Sequence, residues 1–344
     1  MERERLQEIL AGFAHTRVLV VGDYFLDKYL DIDRSLAEIS LETGLEAHQV
    51  FRVRASPGAA GTVVSNLRAL EVQVVALGVI GDDGEGYELL RGLQAWDVET
   101  APLLRTSQRM TPTYTKPMMH EPDGRVHELS RLDIKNRTPL PPGLEETVIA
   151  RLQELAPTVQ AVVVADQVPE RNCGVITDRV REAICSLAAE HPELIVVADS
   201  RMRIGEYRHV SLKPNEFEAL RALGQETQEP PPRWQVEEAG RLLAQRAGRP
   251  VFVTIGEEGI LVCTAEGCQH VPAVPVSGEI DIVGAGDSAL AGIVSGLCSG
   301  ASLTEAALIG NLVASVTVKC IGTTGTASQE EVLAALGRWR EAHA

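Results

Sequence analysis

Aromatic side chains are scarce, at 4% of 344 residues, so the core has to be built from Val, Leu, Ile and Ala within a hydrophobic share of 44%. Positive charge is short as well. Lys and Arg number 32 against 48 Asp and Glu, a formal net charge of −16. That balance argues against a nucleic-acid partner and against anionic membranes. It does not exclude a nucleotide, because backbone amides and Mg²⁺ can hold phosphates inside an acidic protein. No apolar run approaches the roughly 20 residues that span a bilayer. The charged start, Met1-Glu2-Arg3-Glu4-Arg5, leads into no apolar stretch, so no signal peptide is expected and a cytoplasmic location is. The cysteines, Cys173, Cys185, Cys263, Cys268, Cys298 and Cys320, form no Cys-x-x-Cys pair and no zinc spacing. Cys263 and Cys268 could face each other across a hairpin, but buried free thiols are the expectation.

Several chemical signatures are also missing. There is no Gly-x-x-x-x-Gly-Lys-Ser/Thr, which excludes a P-loop. No Gly-x-Gly-x-x-Gly follows the first strand, which weakens a dinucleotide reading. No serine elbow, Ser/His/Asp set or metal-spaced histidine pair is present, and no repeat of 20–50 residues appears.

What is present is alternation. Continuous apolar runs at 17–22, 72–80, 161–165, 194–198 and 251–255 predict strands buried on both faces. Residues 2–13 place Leu6, Ile9, Leu10 and Phe13 on one helical face. Further helical patterns lie at 61–70, 84–95, 144–155, 171–190, 215–222 and 235–247. Together they predict an α/β chain with a mostly parallel sheet covered by helices on both sides. Residues 28–55 and 105–136 break the pattern with short, charge-studded strands. They read as one small antiparallel β lid inserted into the main domain, with Glu121-Pro122-Asp123-Gly124 as a hairpin turn.

The most informative stretch is Asp281-Ile282-Val283-Gly284-Ala285-Gly286-Asp287-Ser288, which leads into a helix of small residues. The amides from Gly284 onward would sit at the positive end of that helix, where anions and phosphate bind. A carboxylate at Asp287 would repel a phosphate, but it suits a base that takes a proton from an attacking hydroxyl. Amides holding a phosphoryl group beside such a base suggest phosphoryl transfer. The same octapeptide would also serve as a plainly capped helix.

Other candidates lie where ligands collect, at the carboxyl ends of strands. Asp27 follows the first strand and would accept hydrogen bonds from a polyol. Pro57-Gly58-Ala59-Ala60-Gly61-Thr62 is a second small-residue turn, letting a substrate approach its backbone. Asn215 and Glu218 share a helical face and would hold water on Mg²⁺. Equally, Asn215 would cap the helix and Glu218 would be solvated. Thr254-Ile255-Gly256-Glu257-Glu258-Gly259 is a tight turn that could pass a nucleotide. Asn311, on an apolar helix, and Gly322-Thr323-Thr324-Gly325 could line its base.

In this order these motifs resemble the ribokinase-like (PfkB) carbohydrate kinases over nearly the whole chain. Within that family, Val20-Val21-Gly22-Asp23, Leu26-Asp27-Lys28-Tyr29 and Ser130-Arg131-Leu132-Asp133 look most like the kinase half of bacterial heptose-phosphate kinase/nucleotidyltransferases. No nucleotidyltransferase half is expected after Ala344. The resemblance implies one three-layer αβα ribokinase-like domain over residues 1–344, with a mostly parallel sheet and the small antiparallel lid. It implies a cytoplasmic, ATP- and Mg²⁺-dependent kinase of a sugar or sugar phosphate, heptose-phosphate-like. Lid strands of such kinases often pair between subunits, which implies a homodimer.

By resemblance, Asp287 is the base and Gly284, Ala285 and Gly286 form the anion hole. Asp27, Gly58, Ala59 and Thr62 meet the sugar. Asn215, Thr254, Gly256, Gly259 and Asn311 meet the nucleotide, Glu218 serves Mg²⁺ through water, and Asp281 stands near a monovalent-cation (K⁺) site. Arg131 and Arg109 in the lid would bind the phosphate of a phosphorylated sugar, whereas Lys116 reads as surface charge. The family usually has two adjacent glycines and an asparagine where this chain has Gly58-Ala59 and Thr62. The catalytic parts match and the substrate-reading parts differ. A nucleoside kinase of the same fold and a non-catalytic sugar-phosphate-binding regulator are the alternatives.

Overall fold

The computed structural model describes residues 1–322 and 324–343. Its strands are β1 Arg17–Gly22, β2 Tyr24–Ile39, β3 Glu46–Ala59, β4 Gln73–Leu77, β5 Val79–Gly81, β6 Leu104–Thr106, β7 Thr113–His120, β8 Val126–Glu128, β9 Leu132–Ile134, β10 Ala161–Asp166, β11 Ile195–Ser200, β12 Ser211–Leu212, β13 Val251–Thr254, β14 Gly259–Cys263 and β15 Cys268–Pro272. Its helices are α1 Arg3–Ala11, α2 Ala60–Ala69, α3 Gly84–Ala95, α4 Pro142–Leu155, α5 Asp178–Glu190, α6 Glu216–Arg221, α7 Arg233–Ala247, α8 Ala285–Cys298, α9 Leu303–Thr317 and α10 Gln329–Ala342.

The main sheet runs β15-β14-β13-β12-β11-β10-β1-β4. Every pairing from β4 to β13 is parallel, and the β13-β14-β15 edge is antiparallel. The continuous apolar runs have a direct cause. Val18 and Val20 face a core shared with α1, α2, α8, α9 and α10, while Leu19 and Val21 face a second core under α4, α5 and α7. Alternate residues therefore point to opposite layers, and both layers are dry. Each such side chain contributes about 1.5–3 kcal/mol on leaving water. The result is the three-layer αβα ribokinase-like fold. Among the described residues no helix is long and apolar enough to cross a membrane.

The small residues of α8 have a packing role beyond any chemistry. A Cβ on Gly292 would stand 3.0 Å from Cα of Gly310, and one on Gly310 would stand 2.9 Å from the Ala289 carbonyl. Glycines let α8 and α9 touch backbone to backbone, which fixes the helix that carries Asp287.

The lid is a five-stranded sheet ordered β3-β2-β7-β8, with β9 also on β7. It corrects the expected boundaries and pairing. The β2–β7 pair is parallel, while β3, β8 and β9 pair antiparallel, so the sheet is mixed. It begins at Tyr24, because only Asp23 separates β2 from β1 and that residue's N–H still bonds Ala165 of the main sheet. Residues 104–106 pair with β5 instead. The 121–124 turn forms as expected, with Gly124 at φ +86° donating to the Glu121 carbonyl.

Two further expectations are corrected. The helix predicted from 171 starts at Asp178, because Asn172 turns the chain at φ +63° and Thr177 caps the helix by accepting from Val180 N–H. Cys263 and Cys268 are joined as a disulfide rather than free, since β14 and β15 set them directly opposite with Cα atoms 4.0 Å apart.

Candidate active site

The turn before α8 is built around Gly284, at φ +82°. Asp281 holds it from outside. One carboxylate oxygen accepts from Val283 N–H at 3.0 Å and the other from Gly322 N–H at 3.1 Å. Both oxygens are thus engaged with backbone, which makes Asp281 a clasp between two loops. The N–H of Ala285 donates to the Ile282 carbonyl at 3.1 Å, so the structure withdraws it from the anion hole. Among the described residues the N–H groups of Gly284, Gly286 and Asp287 meet no acceptor. They are the amides left for an anion.

Asp287 follows immediately and is half-buried. Its carboxyl is pushed up to about 7, by burial first and by the neighbouring Asp199 second, against the pull of Lys213 and Arg201. A carboxylate so placed is a competent base near neutral pH. Lys213 is buried under this turn and pairs with Asp199 at 3.0 Å.

Asn215 and Glu218 form a reciprocal capping box at the start of α6. Asn215 Oδ1 accepts from Glu218 N–H at 2.8 Å, and Glu218 Oε2 accepts from Asn215 N–H at 2.9 Å. Capping therefore uses one oxygen of each side chain. The Asn215 amide and the second Glu218 oxygen remain. Thr254 lies next to Asn215 through a parallel bridge. Gly256, at φ +56°, has open space where a Cβ would point, as a close ligand approach requires. Gly259 differs, since its Cβ would stand 2.4 Å from the Val271 carbonyl, so packing explains that glycine. Buried Asn311 donates to the carbonyls of Val271 and Pro272 at 3.0 and 3.1 Å. It shapes the wall here by pinning β15. Of 322–325, Thr323 lies outside the described residues, and the Thr324 methyl carbon is 3.3 Å from where a Gly284 Cβ would be.

On the opposite side, Asp27 is buried on β2. Burial pushes its carboxyl up, opposed by Lys116 and Arg131. Lys116 stands 3.6 Å from Asp27 and donates to the Tyr29 hydroxyl at 3.1 Å. This corrects the surface-charge expectation, because β7 lies parallel to β2 and brings Lys116 onto the face of Asp27. Arg131 grips Asp133 through two hydrogen bonds of 2.7 and 3.0 Å, with its guanidinium 4.6 Å from the Tyr114 ring centre. Arg109 is not in the cleft. It is buried and donates to the carbonyls of Thr138, Pro139 and Cys173, a structural role that removes it as a phosphate ligand. The two turns meet at Thr62, whose methyl carbon is 3.3 Å from the Gly284 Cβ position.

Sequence reasoning missed Lys213, Asp199 and Arg201. Lys213 stands two residues before Asn215, and a lysine at the end of a buried strand is itself a signal, since lysine is almost never buried unpaired. Asp199 had the same signal, directly after an apolar run.

The family model for pfkB family carbohydrate kinases matches residues 17–330. The bifunctional protein HldE of Trichlorobacter lovleyi is 30% identical over 341 residues, covering 98% of this chain and 66% of that protein, so the chain spans about two thirds of such relatives. Among solved structures, Arabidopsis thaliana ribokinase complexed with ribose and ATP superposes with a TM-score of 0.68 at 19% identity, covering 93% of this chain and 98% of that one. Escherichia coli phosphofructokinase-2 in complex with potassium gives 0.70 at 17% identity, covering 94% and 100%. The structural likenesses speak for the fold, and the sequence matches say more: this chain belongs to the pfkB family of carbohydrate kinases.

Proposed function

We propose that this protein transfers the γ-phosphate of ATP to a hydroxyl of a sugar or sugar phosphate, with Asp287 as the base. The observation that carries the reading is the pairing of unbonded amides at 284, 286 and 287 with a carboxyl raised to about 7. The acceptor hydroxyl oxygen attacks the γ-phosphorus, its proton passes to Asp287, and ADP leaves. The free amides meet the charge on the migrating group. The sugar lies between Asp27, Gly58, Thr62 and the lid, whose closure excludes water. Among the described residues no cluster of three or more acidic, His or Cys side chains forms a metal cage. The residues present fit Mg²⁺ all the same, because that ion is usually held by substrate phosphates and one or two carboxylates. Glu218, with a carboxylate oxygen left over from its cap, would hold it through water beside Asn215. Mg²⁺ would neutralise charge on the β- and γ-phosphates. Asp281 would steady a K⁺-binding loop through its two backbone contacts.

A heptose-phosphate-like acceptor is supported by the likeness of residues 20–23, 26–29 and 130–133 to heptose-phosphate kinases, together with the match to HldE over 98% of the chain. Arg131, Lys116 and Arg201 supply positive charge around Asp27 and Tyr114 in an otherwise acidic protein. A homodimer through the lid is supported by Leu36, Ile39, Phe51, Val53 and Leu132, all exposed on that sheet. Sedimentation at micromolar concentration tests it. A panel of sugars, sugar phosphates and nucleosides, read by ATP consumption, tests the activity. Turnover only with nucleosides, or ligand binding with no turnover, would replace this reading.

A further inference from the structure

Gly286 has no backbone reason to be glycine. It is not among the residues with positive φ, unlike Gly284 two positions earlier. What crowds a side chain there is Lys213, whose Nζ lies 3.2 Å from the position of a Gly286 Cβ, so the ammonium would have to shift to admit one. The lysine is 3% exposed. It is fixed at both ends. Its N–H donates to the Ala198 carbonyl at 2.9 Å, and its Nζ pairs with Asp199 at 3.0 Å. Both partners belong to the end of β11, next to β12, so the ammonium is anchored to the sheet.

We propose that Lys213 is a positioning residue for phosphoryl transfer: held by Asp199 beneath Gly286, its ammonium forms the charged floor of the anion hole. The inference rests on the kinase reading above. Three carboxylates, Asp199, Glu218 and Asp287, act on this single ammonium. Without it, the amides at 284, 286 and 287 would receive a phosphoryl group over these three carboxylates with only Arg201 to offset them. An apolar residue of similar volume would fill the space with no desolvation cost. The charge is therefore explained by what it faces rather than by packing. Because the ammonium lies below the turn, it acts most strongly when negative charge gathers at the hole during transfer.

The test compares wild type with Lys213→Met, Lys213→Arg and the double variant Lys213→Met/Asp199→Asn, which also removes the charge of the lysine's direct ion-pair partner if the single variant fails to fold. Steady-state kinetics are combined with binding of Mg·ADP alone and of Mg·ADP–aluminium fluoride with acceptor, the latter mimicking the migrating group. We expect Lys213→Met to lower kcat by about 10²–10³-fold, as removal of an anion-hole donor does. KM for both substrates and affinity for Mg·ADP should stay near wild type, while the aluminium fluoride complex is weakened. Lys213→Arg should recover much of the loss, and the folded double variant should remain slow. Equal loss of Mg·ADP and aluminium fluoride binding, or a double variant with wild-type kcat, overturns the proposal. A wild-type protein that turns over no acceptor and gains no affinity from aluminium fluoride removes the kinase reading and this inference with it.

Discussion

Asp27 and Gly58 face each other at the root of the lid, so closely that a Cβ on Gly58 would stand 2.6 Å from Oδ2 of Asp27. β2 and β3 bring them together, with Asp27 opposite Ser56 and Gly58 one diagonal step away. The carboxylate therefore lies over bare backbone. That leaves its lone pairs free for sugar hydroxyls, with Lys116 as its only cation within 4 Å among the described residues.

Gly58→Ala should push that carboxylate aside. The backbone there does not require positive φ, so the protein should fold and melt much like wild type. Misplacing a binding group by about 1 Å can cost as much as 10²-fold, so kcat/KM for the sugar should drop by about ten-fold or more while KM for ATP holds. An unchanged sugar KM would show that Asp27 does not bind the acceptor.

Ala59, one residue on, takes φ +54°, ψ −118°, a conformation that costs a non-glycine residue about 1–3 kcal/mol. Ala59→Gly should stabilise the protein by about 1 kcal/mol, offset in part by glycine's greater unfolded-state entropy. Urea unfolding would show a higher midpoint at unchanged slope. A lower midpoint would mean that the alanine methyl makes contacts worth more than the strain.

The core strands were legible in the chain because a parallel sheet buried on both faces leaves uninterrupted apolar runs, as at 17–22 and 161–165. The Asp287 turn was legible because positive φ at Gly284 and free amides leave a glycine-rich trace. The parallel pairing of β2 with β7 was not, since nothing local in either strand states its partner's direction. For that reason Lys116 passed for surface charge. Arg109 carried the opposite error. A polar residue in a suggestive place turned out to serve backbone carbonyls, which a sequence does not reveal. The strained alanine at 59 breaks a local rule beside the substrate turn, where such violations concentrate.

Arg131→Ala separates sugars from sugar phosphates. The guanidinium is stacked on Tyr114 and paired with Asp133, so its removal should change the fold little. If it meets an acceptor phosphate, KM for sugar phosphates should rise by about ten-fold or more, since charge-assisted bonds are worth about 1.5–3 kcal/mol. Neutral sugars should be unaffected. Affinity unchanged from wild type for every phosphosugar in the panel would end that role.

The pH dependence follows from Asp287 itself. Only its ionised form can accept a proton, and its carboxyl stands at about 7. We expect kcat/KM to rise about ten-fold per pH unit below that value and to level off above it. Asp199→Asn removes a negative neighbour that raises the Asp287 carboxyl, so the limb should move to lower pH. Asp287→Asn should flatten the limb and lower the rate by about 10²–10⁴. Stability should run the other way. The folded-state value lies above the ordinary carboxyl value of 3.8, so the native state holds a proton that the unfolded chain has released. Stability from this group is fullest below about pH 4 and is lost as pH climbs through about 7. Asp287→Asn, which never carries the charge, should therefore be more stable than wild type at pH 8 and differ less from it at pH 5. Denaturant unfolding at the two pH values measures the difference. A variant less stable than wild type at pH 8 would mean that the ionised carboxylate is held by favourable contacts, and that its burial does not set its basicity.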